Sequence, residues 1–299
     1  MNHIFDILSS ALPEMKISRM ESMKNHTTFR IGGPAKLFIE PKNEDELSKC
    51  YKLLKENGVE PIILGRGSNL LVRDEGIDGA IIHFGEDFAA IDLEGSTVCA
   101  EAGASLAAVA SAALQNSLAG MEFAHGIPGS LGGALYMNAG AYGGEMSQIV
   151  ETVRYMDADG SIREREVAEC AYGYRHSIFE EENSVILGAK IRLEKGDKEA
   201  IAARMRELSE KRIASQPLDK PSAGSTFKRP ATGYAAAMID QSGLKGLTVG
   251  GAQVSEKHAG FVINADNASF ADVVELMARV QEKVHENFGV ILEPEVKII

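Results

Sequence analysis

Residues 125–145 read HGIPGSLGGALYMNAGAYGGE and hold seven glycines in 21 positions. Glycine costs about 0.5–1 kcal/mol relative to alanine inside a helix or strand, so neither element is expected here. What such a stretch offers is close backbone approach, with N–H groups turned toward a ligand. Ile127, Leu131, Leu135 and Met137, set among the glycines, point to a wall inside the protein. A buried glycine-rich turn without a ligand is the plainer reading. A ligand with two phosphates lying against the wall is the better one.

Upstream of the wall, strands and helices follow one another. An amphipathic helix near residues 4–12 is stopped near Pro13. A Gly32-Gly33-Pro34 turn leads into a strand at 35–40. Asn43 is expected to cap a helix from Glu44 to Glu56, with Glu46 completing a capping-box-like pattern and Gly58 closing the end. After a strand at 61–64 comes Gly65-Arg66-Gly67-Ser68-Asn69-Leu70, a turn able to present successive N–H groups to a phosphate. It contains neither Gly-Lys-Ser/Thr nor GxGxxG, so it is neither a Walker loop nor a dinucleotide fingerprint. Alone, it reads equally well as a hairpin turn. Short strands at 80–84 and 97–100, then an alanine-rich helix at 105–118, complete the approach to the wall.

Downstream, 150–157 and 161–167 read as a hairpin about Asp159-Gly160, and 185–193 as a further strand. Composition then changes. Residues 195–230 hold nine Lys/Arg against five Asp/Glu, a local +4 in a chain of net charge −12. A helix over 198–214 accounts for Arg204 and Arg206 as a solvated face, whereas Lys228 and Arg229 stand in a glycine- and serine-rich loop. Thr232 is expected to cap a helix running through Ser242. Residues 259–264 read as a strand, and Ser269 with Asp272 opens a helix bearing one apolar stripe. A closing strand over 290–299 would place Glu293 and Glu295 on one face.

The 299 residues, 44% hydrophobic and 25% charged, have an ordinary globular composition and suffice for two domains or one large one. The acidic balance argues against non-specific binding to nucleic acid or anionic membranes. No apolar run reaches the ~18 residues of a membrane span. The first residues also lack the basic-then-apolar order of a secretory signal. Cys50, Cys99 and Cys170 lie far apart, and the seven histidines show no ligand spacing. A cytoplasmic protein without a disulfide framework or metal site is therefore expected.

Five motifs now stand in order: GRGSNLL at 65–71, GIPGSLGGALYMNAGAYGG at 126–144, YGYRHSIF at 172–179, AGSTFKRP at 223–230 and LEPEV at 292–296. Each is modest alone. Together they closely resemble the UDP-N-acetylenolpyruvoylglucosamine reductase (MurB) family, from about His26 to the C-terminus. With no insertion after Tyr174-Arg175, the chain looks like the shorter form of that family. The resemblance implies an α+β fold: a PCMH-type FAD-binding domain of two α/β lobes dividing near residues 80–85, over 1–195, then a smaller α+β substrate-binding domain over 196–299. It implies non-covalent FAD, held by Gly65, Arg66, Gly67, Ser68, Asn69, Leu70, Ile127, Pro128, Gly129, Ser130, Gly132, Gly133, Asn138, Ala139 and Gly140, with NADPH as hydride donor.

The implied reaction belongs to peptidoglycan precursor synthesis. A UDP-N-acetylglucosamine enolpyruvyl ether is reduced to UDP-N-acetylmuramate, hydride going to C3 and a proton to C2. Negative charge then develops at C2 and on the neighbouring carboxylate, where preorganised donors act most strongly. By resemblance these donors are Arg175, able to meet a carboxylate in two places, and Glu295, which donates only in the protonated form that a dry site favours. Ser225 is the implied proton donor; a seryl hydroxyl can serve a carbanion, particularly beside positive charge. Glu295 is chosen over Glu293 because the family's glutamate directly precedes a valine. Tyr174, Lys228, Arg229, Lys257 and His258 are the implied substrate contacts, Arg229 departing from the asparagine of many relatives. On residue type alone, Ser225 would be a turn residue, Arg175 an ion-pair partner and Glu295 an edge-strand solubiliser; the ordered motifs reverse that. Two other readings compete: a different flavin oxidase or dehydrogenase of this fold acting on a sugar or hydroxy acid, and a non-catalytic nucleotide-binding module.

Overall fold

The computed structural model describes residues 1–299. The chain forms two compact units. One is Met1–Ser18, Leu37–Arg66 and Gly79–Lys211; the other is Arg19–Lys36, Gly67–Asp78 and Arg212–Ile299. This differs from a single division after residue 195, because two early segments fold with the C-terminal one. The physical reason lies in the second unit's core, where Phe29, Ile31 and Leu71 are buried with Val273, Leu276, Val280 and Val284. Burying side chains of this size stabilises by about 1.5–3 kcal/mol each. Two hydrogen bonds fix the first of these segments: Thr28 Oγ1 donates to the Ser222 carbonyl (2.7 Å), and Asn264 Nδ2 to the Phe29 carbonyl (3.2 Å).

The first unit is built on a five-stranded sheet in the order Ile162–Glu166, Val150–Met156, Val185–Arg192, Thr97–Glu101, Ile91–Glu94. Neighbours run antiparallel throughout. Its central strand, Val185–Arg192, buries Val185, Ile186, Leu187, Ala189 and Ile191, an almost unbroken apolar run that suits a covered strand. The expected hairpin forms about Asp159-Gly160, with Met156 opposite Ile162. A second sheet has the order Lys16–Ser22, Pro34–Glu40, Ile77–His83, Ile62–Leu64, its last pair parallel. Periodicity did not suggest the strands Lys16–Ser22 and Ile91–Glu94, whose residues are mostly exposed or half-buried.

Helix signals read well where caps are local. Asn43 accepts from the Glu46 N–H (2.9 Å) at the start of Glu44–Glu56, and Ser105 from Ala108 N–H (3.1 Å) at the start of Leu106–Gln115. The glycine-rich stretch corrects one expectation. It contains a six-residue helix, Leu131–Tyr136, capped by Ser130, whose Oγ accepts from Gly133 N–H (3.4 Å). Local capping and close packing outweigh the intrinsic cost of Gly132 and Gly133 there.

The second unit combines the antiparallel strands Thr248–Val249, Ala252–Val254 and Val262–Asn264 with the helices Ala235–Gln241 and Phe270–Phe288. The long helix begins in a full capping box. Ser269 Oγ accepts from Asp272 N–H (3.1 Å) and Asp272 accepts from Ser269 N–H (2.9 Å). The Ser269 and Gly251 N–H groups hold the Asp272 carboxyl below its ordinary range. Two expectations fail here. Tyr234, not Thr232, occupies the N-cap position of Ala235–Gln241, with no side-chain cap. The closing strand shrinks to Lys297–Ile298, parallel to Leu70–Leu71, because residues 293–295 pair instead with 226–228, Phe227 opposite Pro294.

Candidate active site

In the first unit the two glycine turns come together. A Cβ on Gly65 would lie 2.2 Å from Ser130 Oγ, so only glycine lets this turn approach the cap of Leu131–Tyr136. Gly132 fits as tightly, 2.9 Å from the Ala102 Cβ. The wall is thus closely built. Its N–H groups are not all available to a ligand: Leu131 N–H donates to the Ala104 carbonyl and Gly132 N–H to that of Ala102, both at 2.8 Å. Pro128 and Gly133 are exposed, and Ile127 and Gly129 half-buried, so the rim faces outward. His125 Nδ1 is buried beside this rim without a protein partner. What this wall leaves for the polar edge of FAD is its outward rim at Ile127–Gly129 and the unpartnered His125 ring nitrogen.

Arg175 stands on a tight turn of the same unit. Gly173 and His176 pair through their backbones at 3.1 and 3.3 Å, leaving Tyr174 and Arg175 at the tip. Arg175 has φ +55°, a left-handed conformation that turns normally give to glycine or asparagine. Its guanidinium lies 5.1 Å from the Tyr174 ring centre and 3.5 Å from the Gly140 carbonyl. Tyr174 is 54% exposed, open to contact with a ligand.

In the second unit Ser225 and Glu295 come from neighbouring strands of chain. Glu295 N–H donates to the Thr226 carbonyl and Lys228 N–H to the Glu293 carbonyl, both at 2.8 Å, with Phe227 opposite Pro294. On the other side, Thr226 N–H donates to the Gly260 carbonyl (2.8 Å), and its Oγ1 accepts from Val262 N–H (2.9 Å). Thr226 and Phe227 are buried while Ser225 is exposed, so the loop is anchored by its neighbours and displays the seryl hydroxyl. Asn69 Nδ2 donates to the Glu295 carbonyl (3.0 Å), and Lys297 N–H to the Asn69 carbonyl (2.9 Å). The Asn69 side chain, counted among the cofactor contacts, therefore secures the backbone of Glu295. Glu293 and Glu295 separate cleanly: Glu293 is exposed and paired with Lys228 (3.5 Å), Glu295 half-buried.

The cations have their own partners. Lys228 faces Glu293, Lys257 Nζ donates to the Ile213 carbonyl, and the Arg229 guanidinium stacks 4.2 Å from the Tyr234 ring centre. Much of the basic segment is similarly satisfied: Lys195 and Lys198 reach the carbonyls of Asn116 and Gln115 at 3.4 Å, and Arg204 and Lys211 share Glu207. Burial pushes His258 below its ordinary value, helped by the nearby Lys245 charge, and its Nδ1 accepts from Gly260 N–H (3.2 Å). That bond leaves Nε2 as the ring's donor.

Other features stand outside the chemistry. Burial pushes the Cys50 thiol up to about 12 and that of Cys170 to about 11, so neither is a thiolate at neutral pH. A cavity of about 380 Å³ lies among Lys42, Asn43, Glu44, Asp45, Asp87, Phe88 and Glu101. Its four carboxylates would repel an anionic ligand, so it is a poor seat for a sugar diphosphate. No helix is long and apolar enough to cross a membrane. No cluster of His, Cys, Asp and Glu is arranged to hold a metal ion.

Comparison with known proteins bears on both units. Residues 35–165 match the model of an FAD binding domain, and residues 216–299 that of the UDP-N-acetylenolpyruvoylglucosamine reductase C-terminal domain. A UDP-N-acetylenolpyruvoylglucosamine reductase of Caldanaerobacter subterraneus is 47% identical over 296 residues, covering 99% of this chain and 98% of the relative. The like-named protein of Clostridioides difficile is 44% identical, covering 99% and 97%. The crystal structure of the Thermus caldophilus reductase superposes with a TM-score of 0.83 at 34% identity, over 95% of this chain and 99% of that one.

Proposed function

Since this chain belongs to the UDP-N-acetylenolpyruvoylglucosamine reductase family, we propose that it performs the reaction the family is named for, as an FAD-containing oxidoreductase that draws hydride from NADPH. FAD would supply the hydride-transfer chemistry, with C3 of the enolpyruvyl ether of UDP-N-acetylglucosamine as the acceptor. Gly65 and the rim at Ile127–Gly129 would hold FAD, with His125 Nδ1 as a further polar contact.

Hydride addition leaves an electron pair at C2, shared with the adjoining carboxylate. Arg175 stabilises that charge by fixed, two-point donation. Glu295, from the segment paired with the Ser225 loop, lies beside the proton donor to contact the same carboxylate. Ser225 transfers its hydroxyl proton to C2, forming the C–H bond and leaving a seryl oxygen that solvent reprotonates. Tyr174 and His258 Nε2–H orient the nucleotide sugar. Lys228, Lys257 and Arg229 offset its diphosphate charge once they leave their present partners. The observation that supports this reading is the backbone pairing of Thr226 with Glu295, which brings the Ser225 loop and the Glu295 segment side by side while leaving Ser225 exposed. As catalysis needs a free sugar nucleotide and NADPH, the expected compartment is the cytoplasm.

Stopped-flow absorbance at the flavin band tests the proposal. Reduction by NADPH followed by rapid reoxidation on adding the UDP-enolpyruvyl ether is expected. Reoxidation by oxygen with a simple sugar or hydroxy acid as reductant would instead show a different flavoenzyme of this fold.

A further inference from the structure

Asn138 sits within the glycine-rich wall, 2% exposed, in the left-handed conformation (φ +42°). Asparagine is among the few residues besides glycine that adopt it readily. Unlike glycine, it brings an amide with a donor and an acceptor end. Both ends are engaged by protein. Nδ2 donates to the Gly173 carbonyl (3.1 Å), and Oδ1 accepts from Ser147 N–H (2.9 Å). Gly173 is the first residue of the turn that carries Arg175, and its carbonyl also accepts from His176 N–H. On the far side of the turn, Ser177 is fully buried and its Oγ donates to the Tyr136 carbonyl (2.7 Å). The two side chains clamp the Arg175 turn to the wall from both ends. Arg175 returns to the same wall at the Gly140 carbonyl, two residues beyond Asn138.

We propose that Asn138 is a positioning residue for Arg175. With Ser177 it fixes where the guanidinium stands, rather than contacting FAD through its side chain. The inference rests on the role of Arg175 given above. The turn needs such a clamp because its own conformation is costly: a non-glycine residue in the left-handed region persists only when the surroundings enforce it. Released from Asn138, the turn relaxes and the guanidinium moves; a misplacement of about 1 Å can cost ~10²-fold in rate.

Asn138→Gly keeps the backbone conformation open and removes the amide; Asn138→Asp keeps the acceptor for Ser147 and removes the donor to Gly173. Each is made alone and combined with Arg175→Ala, and each half-reaction is followed by stopped flow. Both variants are expected to slow flavin reoxidation by the enolpyruvyl ether about 10–10²-fold, to leave reduction by NADPH within about twofold and to have no further effect in the Arg175→Ala background. Hydrogen exchange of the cofactor-free protein should show the peptide over residues 172–177 exchanging faster in Asn138→Gly. Unchanged reoxidation in both Asn138 variants, or an equal and additive slowing in the Arg175→Ala background, overturns the proposal while leaving the Arg175 role intact. Normal reoxidation in Arg175→Ala itself overturns that role and the proposal with it.

Discussion

The turn that bears Arg175 and the loop that bears Ser225 solve one problem by different means. Both must display a polar side chain while keeping its backbone still. The Arg175 turn is a two-residue excursion held at its base by two buried side chains, Asn138 and Ser177. The Ser225 loop lies between two stretches of chain and is held mostly by main-chain bonds, to Gly260 on one side and to Glu293 and Glu295 on the other. Main-chain bonds survive most substitutions; side-chain clamps do not. The first display should therefore be fragile toward single changes nearby, and the second robust except at its buried side chains, Thr226 and Phe227.

The largest effect expected on this comparison comes from removing the displayed group itself. Ser225→Ala should slow flavin reoxidation by the enolpyruvyl ether at least ~10²–10⁴-fold, with reduction by NADPH nearly normal. Ser225→Cys, with its more acidic thiol, should retain more of the second half-reaction. Equal slowing of both halves would make Ser225 scaffolding.

Next, Arg175→Lys keeps the charge but loses the planar fork, and should cost about 10²-fold in kcat, the scale of one preorganised donor. A loss confined to KM would place Arg175 in ground-state binding alone.

Thr226→Val tests the second display through its buried side-chain hydrogen bond. It leaves the Val262 N–H unsatisfied, and about 1–3 kcal/mol of stability should be lost in urea denaturation. The kcat should fall by less than in Asn138→Gly, since the flanking main-chain bonds remain. A larger loss of kcat than in Asn138→Gly would reverse the contrast between the two regions.

Lys228 is exposed and already paired with Glu293, an arrangement usually worth less than 1 kcal/mol. Lys228→Ala should raise KM for the UDP-sugar about 2–5-fold, and Glu293→Gln, which frees the lysine, should lower it. Unchanged KM in both would leave Lys228 a structural role only.

The smallest effect concerns pH. Burial lowers the His258 pKa in the folded protein, so the unfolded chain binds the extra proton first. Stability from a neutral His258 is thus present above its unfolded value of about 6.5 and falls as pH drops from there to the lowered folded value. In melting curves between pH 7.5 and 5, His258→Gln should flatten this acid limb slightly. An identical limb in wild type and variant would assign it to other groups.

How much was legible in sequence varies with how local the cause is. Caps were readable because donor and acceptor lie within three residues: Asn43 with Glu46, Ser269 with Asp272. The burial of Val185–Arg192 followed from its composition. Glu293 and Glu295 were indistinguishable by periodicity, since only a partner from a distant loop, Lys228, separates them. The resemblance offers Asn69 and Asn138 as cofactor contacts. Their amides engage backbone carbonyls 226 and 35 residues away, and no local signal announces that.

The sequence by itself determined the family, through five motifs in order, together with the residue types its chemistry needs and the acidic charge of the chain. Tertiary structure decided which early segments fold with the C-terminal one, because Phe29, Ile31 and Leu71 find their burial there. It decided that the glycine-rich wall contains a helix, because Ser130 caps it and Gly132 fits against Ala102. It also decided how Arg175 and Ser225 are displayed. Motifs and composition are properties of residues near in sequence, whereas burial and long-range hydrogen bonds exist only once distant residues share one place.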